Sequence, residues 1–152
     1  MTEVWFFHLD NQPLEHVLPR IVGSSLKRGW RMVIETTALE RVAKISEMLW
    51  ASEDVAFLPH GFEGEPSPER QPVWLTTNSE NPNNADVRVL LDGALPADIS
   101  NLTRAVLMFD GNDVSAIEAA REQWKMQKAA GHDISYWKQD EAGKWINQAK
   151  QN

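Results

Sequence analysis

At 152 residues the chain is the size of one domain, long enough to bury roughly two thirds of the surface it exposes when unfolded. It has no cysteine, which excludes disulfides, thiolate metal sites and cysteine nucleophiles, and its 42% hydrophobic and 24% charged residues are ordinary for a globular protein. A net charge of −7 argues against coating a nucleic-acid backbone. No apolar run nears the roughly 18 residues of a membrane span, so a cytoplasmic protein is expected.

Residues 3–9, Glu-Val-Trp-Phe-Phe-His-Leu, are short, aromatic and β-branched and run into Asp10-Asn11-Gln12-Pro13, which predicts a strand and a turn. Leu14, Val17, Leu18, Ile21, Val22 and Leu26 then recur at helical spacing as far as Gly29, with Pro19 a candidate first position of the helix proper. Residues 30–35 predict a second strand, and Thr36 or Thr37 can cap a helix that runs to Trp50 with Leu39, Val42, Ile45 and Leu49 on one stripe. From Ala51 to Pro72 the chain is rich in Gly, Pro, Glu and Ser and predicts a long connection, with Phe57-Leu58-Pro59-His60-Gly61 docked on the body.

Further strands are expected at 73–76, 87–91 and 105–109, with a weakly helical connector at 95–102 and a helix from Asn112 to Gly131. Tyr136-Trp137 and Gly143-Lys144-Trp145 supply aromatics that pack back on the body. Strand, helix, strand, helix, strands and a last helix form the pattern of a three-layer, Rossmann-like α/β domain with a largely parallel central sheet. One domain over residues 1–135 and a C-terminal extension over 136–152 are expected.

Such a sheet raises the question of a nucleotide site, which needs glycines at the first strand-to-helix turn. Here that turn is His8-Leu9-Asp10-Asn11-Gln12-Pro13, without glycine and with an acid, so the domain lacks a phosphate-binding loop. The four histidines, His8, His16, His60 and His132, have no spacing that would hold a metal on one element, and no Gly-x-Ser-x-Gly elbow occurs. His8, Asp10 and His16 at the end of the first strand could form an acid–base cluster of a small nucleotide- or phosphate-ligand enzyme. Seven tryptophans could stack on single-stranded bases, but that mode also needs a basic groove.

Charge is distributed unevenly. Residues 1–120 hold nine Lys/Arg against eighteen Asp/Glu, a net −9, whereas residues 121–152 hold six against four, a net +2. On the 112–131 helix, with Ile117 set at zero and 100° per residue, Trp124 falls at about −20°, Lys128 at about 20°, Arg121 at about 40° and Lys125 at about 80°. Three cations around one aromatic suggest a seat for something acidic with an apolar end. A solvated helix face is the plain alternative for the cations, and a core position for Trp124.

Three local patterns in this order resemble the chi subunit family of the bacterial DNA polymerase III holoenzyme. They are Leu49-Trp50 followed by Phe57-Leu58-Pro59-His60-Gly61; Arg121-x-x-Trp124-Lys125 running on to Gly131, where the family commonly has tyrosine at the aromatic position; and Tyr136-Trp137-Lys138-Gln139 with Gly143-Lys144-Trp145. The resemblance implies a nucleotide-binding-like fold without catalysis or cofactor. It also implies a bridge between the clamp loader and single-stranded DNA-binding protein, whose acidic C-terminal tail ends in Ile-Pro-Phe. Carried over by motif, Arg121 and Lys125 pair with the tail's carboxylates, Trp124 packs on its terminal aromatic and Lys128 adds to the field. Trp50 and Phe57 match a second surface, where the family binds the psi subunit or a helicase.

Overall fold

A computed structural model describes residues 2–10, 13–51 and 59–148 of the chain. Eight strands form one sheet: β1 (Glu3–Leu9), β2 (Met32–Glu35), β3 (Gly61–Phe62), β4 (Val73–Thr76), β5 (Val87–Leu90), β6 (Arg104–Asp110), β7 (Asp133–Gln139) and β8 (Trp145–Asn147), in the order β3-β4-β2-β5-β6-β1-β7-β8. Every neighbouring pair runs parallel except β7 and β8, which form an antiparallel hairpin. The helices are α1 (Leu14–Lys27), α2 (Leu39–Trp50) and α3 (Val114–Ala129). No described helix is long and apolar enough to cross a membrane.

Strand alternation sends side chains to two cores. Phe7, Ile34, Leu75, Val89, Val106 and Met108 point to the face covered by α1 and α2, where Leu18, Val22, Ile45 and Leu49 meet them. Val4, Phe6, Leu90, Ala105 and Leu107 point to the other face, covered in part by Ala120 and Trp124 of α3. Farther along that face no helix is found among the described residues, and the 78–85 segment meets it instead, Ala85 packing with Val33 and Trp74. Buried Arg88 donates to Glu35 Oε1 and to the carbonyls of Asn78 and Glu80, while Trp74 Nε1 donates to Glu80 at 2.9 Å. The buried guanidinium is thus paired and hydrogen-bonded, as a charge out of water must be.

The fold is the expected three-layer, largely parallel arrangement, and several local expectations change within it. Helix α1 begins at Leu14, so Pro19 lies inside it, where its buried ring offsets one lost backbone bond. Helix α2 is preceded by Ala38 without a side-chain cap, and Thr36 donates instead to Asp92 Oδ2. The 95–102 connector is not helical. Strand β7 runs through residues 135 and 136 and pairs with β1 from Glu3↔Asp133 to His8↔Lys138.

Candidate functional site

Helix α3 is fixed at both ends by its own sequence. Asp113 is the N-cap, accepting from Ser115 N at 3.0 Å and Ala116 N at 3.4 Å. At the other end Gly131, with φ of 88°, turns the chain while its N–H reaches Lys128 O and that of His132 reaches Gln127 O. Between these stops the register of the basic stripe is set.

Arg121, Trp124 and Lys125 project over a cleft of about 760 Å³ whose other lining residues include His8 and Asp10 from the end of β1 and Tyr136 and Lys138 from β7. Trp124 is half-buried and resolves the two alternatives for its ring, since it packs against the core that holds Val4 and Phe6 and also lines the cleft. Lys128 does not line the cleft; its Nζ sits 4.5 Å from the centroid of the Trp124 ring and holds that ring by a cation–π contact. Lys125 has only the exposed Glu122 at 3.8 Å, and Arg121 has no carboxylate within 4.0 Å among the described residues.

The floor is aromatic and uncharged. Tyr136 stacks on Phe6 with centroids 6.3 Å apart, and its hydroxyl lies 3.0 Å from His8 Nδ1. His8 Nε2 lies 3.8 Å from Asp10 Oδ2, so the tautomer protonated on Nε2 suits both neighbours, with the tyrosine hydroxyl donating to Nδ1. Burial, reinforced by the Lys138 ammonium, pushes the His8 pKa down against the opposing pull of Asp10 and Asp110, so the ring is neutral near pH 7. Burial likewise pushes the Tyr136 hydroxyl up, with Arg121 opposing. Gly111 makes room for the imidazole: a Cβ there would stand 2.1 Å from His8 Nε2.

The acid–base cluster considered from the sequence is only partly assembled. His8 and Asp10 are neighbours, but His16 is exposed on α1 and lines neither this cleft nor the larger one described next. A second cleft, of about 890 Å³, opens on the opposite flank of α3 between the ends of β1, β5 and β6. It is walled by Leu90, Leu107 and Phe109 and rimmed by Asp92, Asp110 and Asp113, and its Arg41 is paired with Asp92 at 2.9 Å. Across the sheet, Trp50 at the end of α2 is 55% exposed, with its ring 4.7 Å from that of His60, which meets Ser46 Oγ at 2.8 Å. Phe57, expected beside it, lies outside the described residues.

Tyr136 and Lys138 are the cleft residues that the helical stripe alone could not reveal. The available signal was their period-two spacing in Tyr136-Trp137-Lys138, which puts both on one side of a strand.

Residues 1–135 match the family described as DNA polymerase III chi subunit, HolC. A protein of Rickettsia prowazekii (strain Madrid E), described as a probable DNA polymerase III subunit chi, is 28% identical over 102 residues, a match that covers 67% of this chain and 60% of that relative. The chain thus spans less than two thirds of the relative's length.

Proposed function

The chain belongs to the DNA polymerase III chi subunit family, and from that premise we propose that it is a non-catalytic accessory subunit of the replication machinery, linking the clamp loader to single-stranded DNA-binding protein. It does so by holding the acidic, Phe-terminated tail of that protein in the cleft beside α3. The observation that carries this reading is the convergence of Arg121, Lys125 and the half-buried Trp124 on one cleft of an acidic chain. The cations meet the tail's aspartates or terminal carboxylate, and the Trp124 ring with the neutral Tyr136 floor receives the terminal phenylalanine.

The magnitudes suit a releasable tether. Two charge-assisted hydrogen bonds contribute about 1.5–3 kcal/mol each and one buried phenylalanine about 1.5–3 kcal/mol. After several kcal/mol of association cost, a micromolar-range contact remains, weakened by salt because the cations are exposed. Trp50, on the opposite face of the sheet, belongs in this reading to a second surface for a psi-like subunit or a helicase, which leaves both partners room to bind together.

Isothermal titration with an acidic peptide ending in Ile-Pro-Phe tests the reading. Binding at low salt, weakening as salt rises, and loss on Arg121→Ala or Lys125→Ala are expected. No binding to the unmutated protein, or indifference to both substitutions, would sink it.

A further inference from the structure

The family match ends at residue 135, yet Tyr136, Lys138 and Gln148 line the cleft. They come from the β7–β8 segment, whose place in the sheet is fixed by parallel pairing of β7 with β1 and antiparallel pairing with β8. Register partners on adjacent strands project to the same face. The pairing His8↔Lys138 therefore puts the Lys138 side chain on the α3 face, beyond the His8–Tyr136 floor and across the cleft from the stripe of α3.

Most guanidinium groups packed into this protein have acidic partners: Arg41 with Asp92, Arg88 with Glu35 and Arg104 with Glu3. Lys138 has no carboxylate within 4.0 Å among the described residues, and Arg121 has none either. On a chain with 22 acids and 15 bases, two such cations facing one cleft leave a local field that, among the described lining residues, Asp10 alone opposes. Asp10 stands 3.8 Å from His8 Nε2 and repels carboxylates from that side of the cleft, which favours Arg121 and Lys138 as their partners.

We propose that the β7–β8 hairpin is a second wall of the peptide site and that Lys138 is a specificity-determining residue, reading an acidic side chain of the bound peptide from the side opposite Arg121 and Lys125. The inference rests on the tail-binding reading and sharpens its partner. The site selects a peptide with acidic residues just upstream of its terminal aromatic, over one that offers only an aromatic end and its terminal carboxylate. The α3 cations hold the end of the peptide, and Lys138 counts the acids before it.

The test uses the full chain and two synthetic nine-residue peptides that both end in Ile-Pro-Phe with a free carboxylate, one with aspartates upstream and one with asparagines in their place. Lys138→Glu is expected to weaken the aspartate peptide tenfold or more and the asparagine peptide less than twofold, and Lys138→Arg to restore the preference. Lys138→Ala, expected to cost the aspartate peptide about three- to tenfold, serves if the glutamate variant does not fold. Unchanged affinity in the Lys138 variants while Arg121→Ala loses binding would overturn the hairpin wall and leave the tail-binding reading standing. Equal losses for both peptides would overturn the selectivity, since Lys138 would then act only through the general field or the fold. Failure of the unmutated protein to bind either peptide would overturn the tail-binding reading and this inference with it.

Discussion

The two clefts that flank α3 are close in size, about 760 and 890 Å³, share Asp10 and Asn112 where they meet, and have opposite electrostatic character. The larger lies at the carboxyl ends of β1 and β6, whose following helices leave to opposite faces of the sheet; doubly wound folds place phosphates at this point. Here Asp92, Asp110 and Asp113 rim it, the sequence that follows β1 has no glycine before Pro13, and Arg41 is already occupied by Asp92. The smaller is bordered by Arg121, Lys125 and Lys138 with few acids to oppose them. Charge rather than volume therefore separates the two: one is hostile to anions at the place where the fold usually binds them, and the other attracts them where the fold usually binds nothing.

The comparison is broken most severely by removing the cations of the smaller cleft. The double substitution Arg121→Ala with Lys125→Ala is expected to weaken an acidic, Phe-terminated peptide about a hundredfold or more, each charge-assisted contact contributing about 1.5–3 kcal/mol. A loss under threefold by calorimetry would mean that the basic flank is not the seat. Next comes the His8 side of the smaller cleft. Gly111→Ala would drive a Cβ to 2.1 Å from His8 Nε2 and is expected to cost about 1–3 kcal/mol of stability in urea unfolding as the imidazole leaves Tyr136.

On the acidic flank, Asp113→Ala is expected to cost about 1 kcal/mol through the lost α3 cap while peptide affinity changes less than twofold. An affinity change as large as that of Arg121→Ala would show that the flanks are not independent. The smallest effect is that of pH. Because burial lowers the folded pKa of His8, the unfolded chain takes up this proton first, so stability falls as pH drops below about 6.5 and levels off below the folded pKa. His8→Gln should flatten that decline in pH-dependent unfolding, and peptide affinity should be flat between pH 7 and 8, where the ring is neutral.

Local periodicity made most of the architecture legible. Strand β1, the apolar run of β6 and the stripes of α2 and α3 all follow from residue spacing, and so does the placing of Arg121, Trp124 and Lys125 on one face. What did not follow were features decided by distant partners. Residues 133–139 look like an aromatic tail until β1 supplies a strand for them to pair with, and Lys138 enters the site only through that pairing. Thr36 is a plausible helix cap in sequence, but Asp92 lies close enough in space to take its hydroxyl. The lesson of Pro19 is similar: the expectation that a helix starts there yields to burial of its ring inside α1.

The most direct measurement is a backbone-amide NMR titration of the full chain with the aspartate-containing, Phe-terminated peptide, because it reports which flank of α3 the peptide occupies. The account predicts shifts centred on Arg121, Trp124 and Lys125 and on Tyr136 and Lys138 of the hairpin, with residues 92–95 of the acidic cleft nearly still. Shifts centred on residues 92–95, or none that localise to either flank, would contradict it.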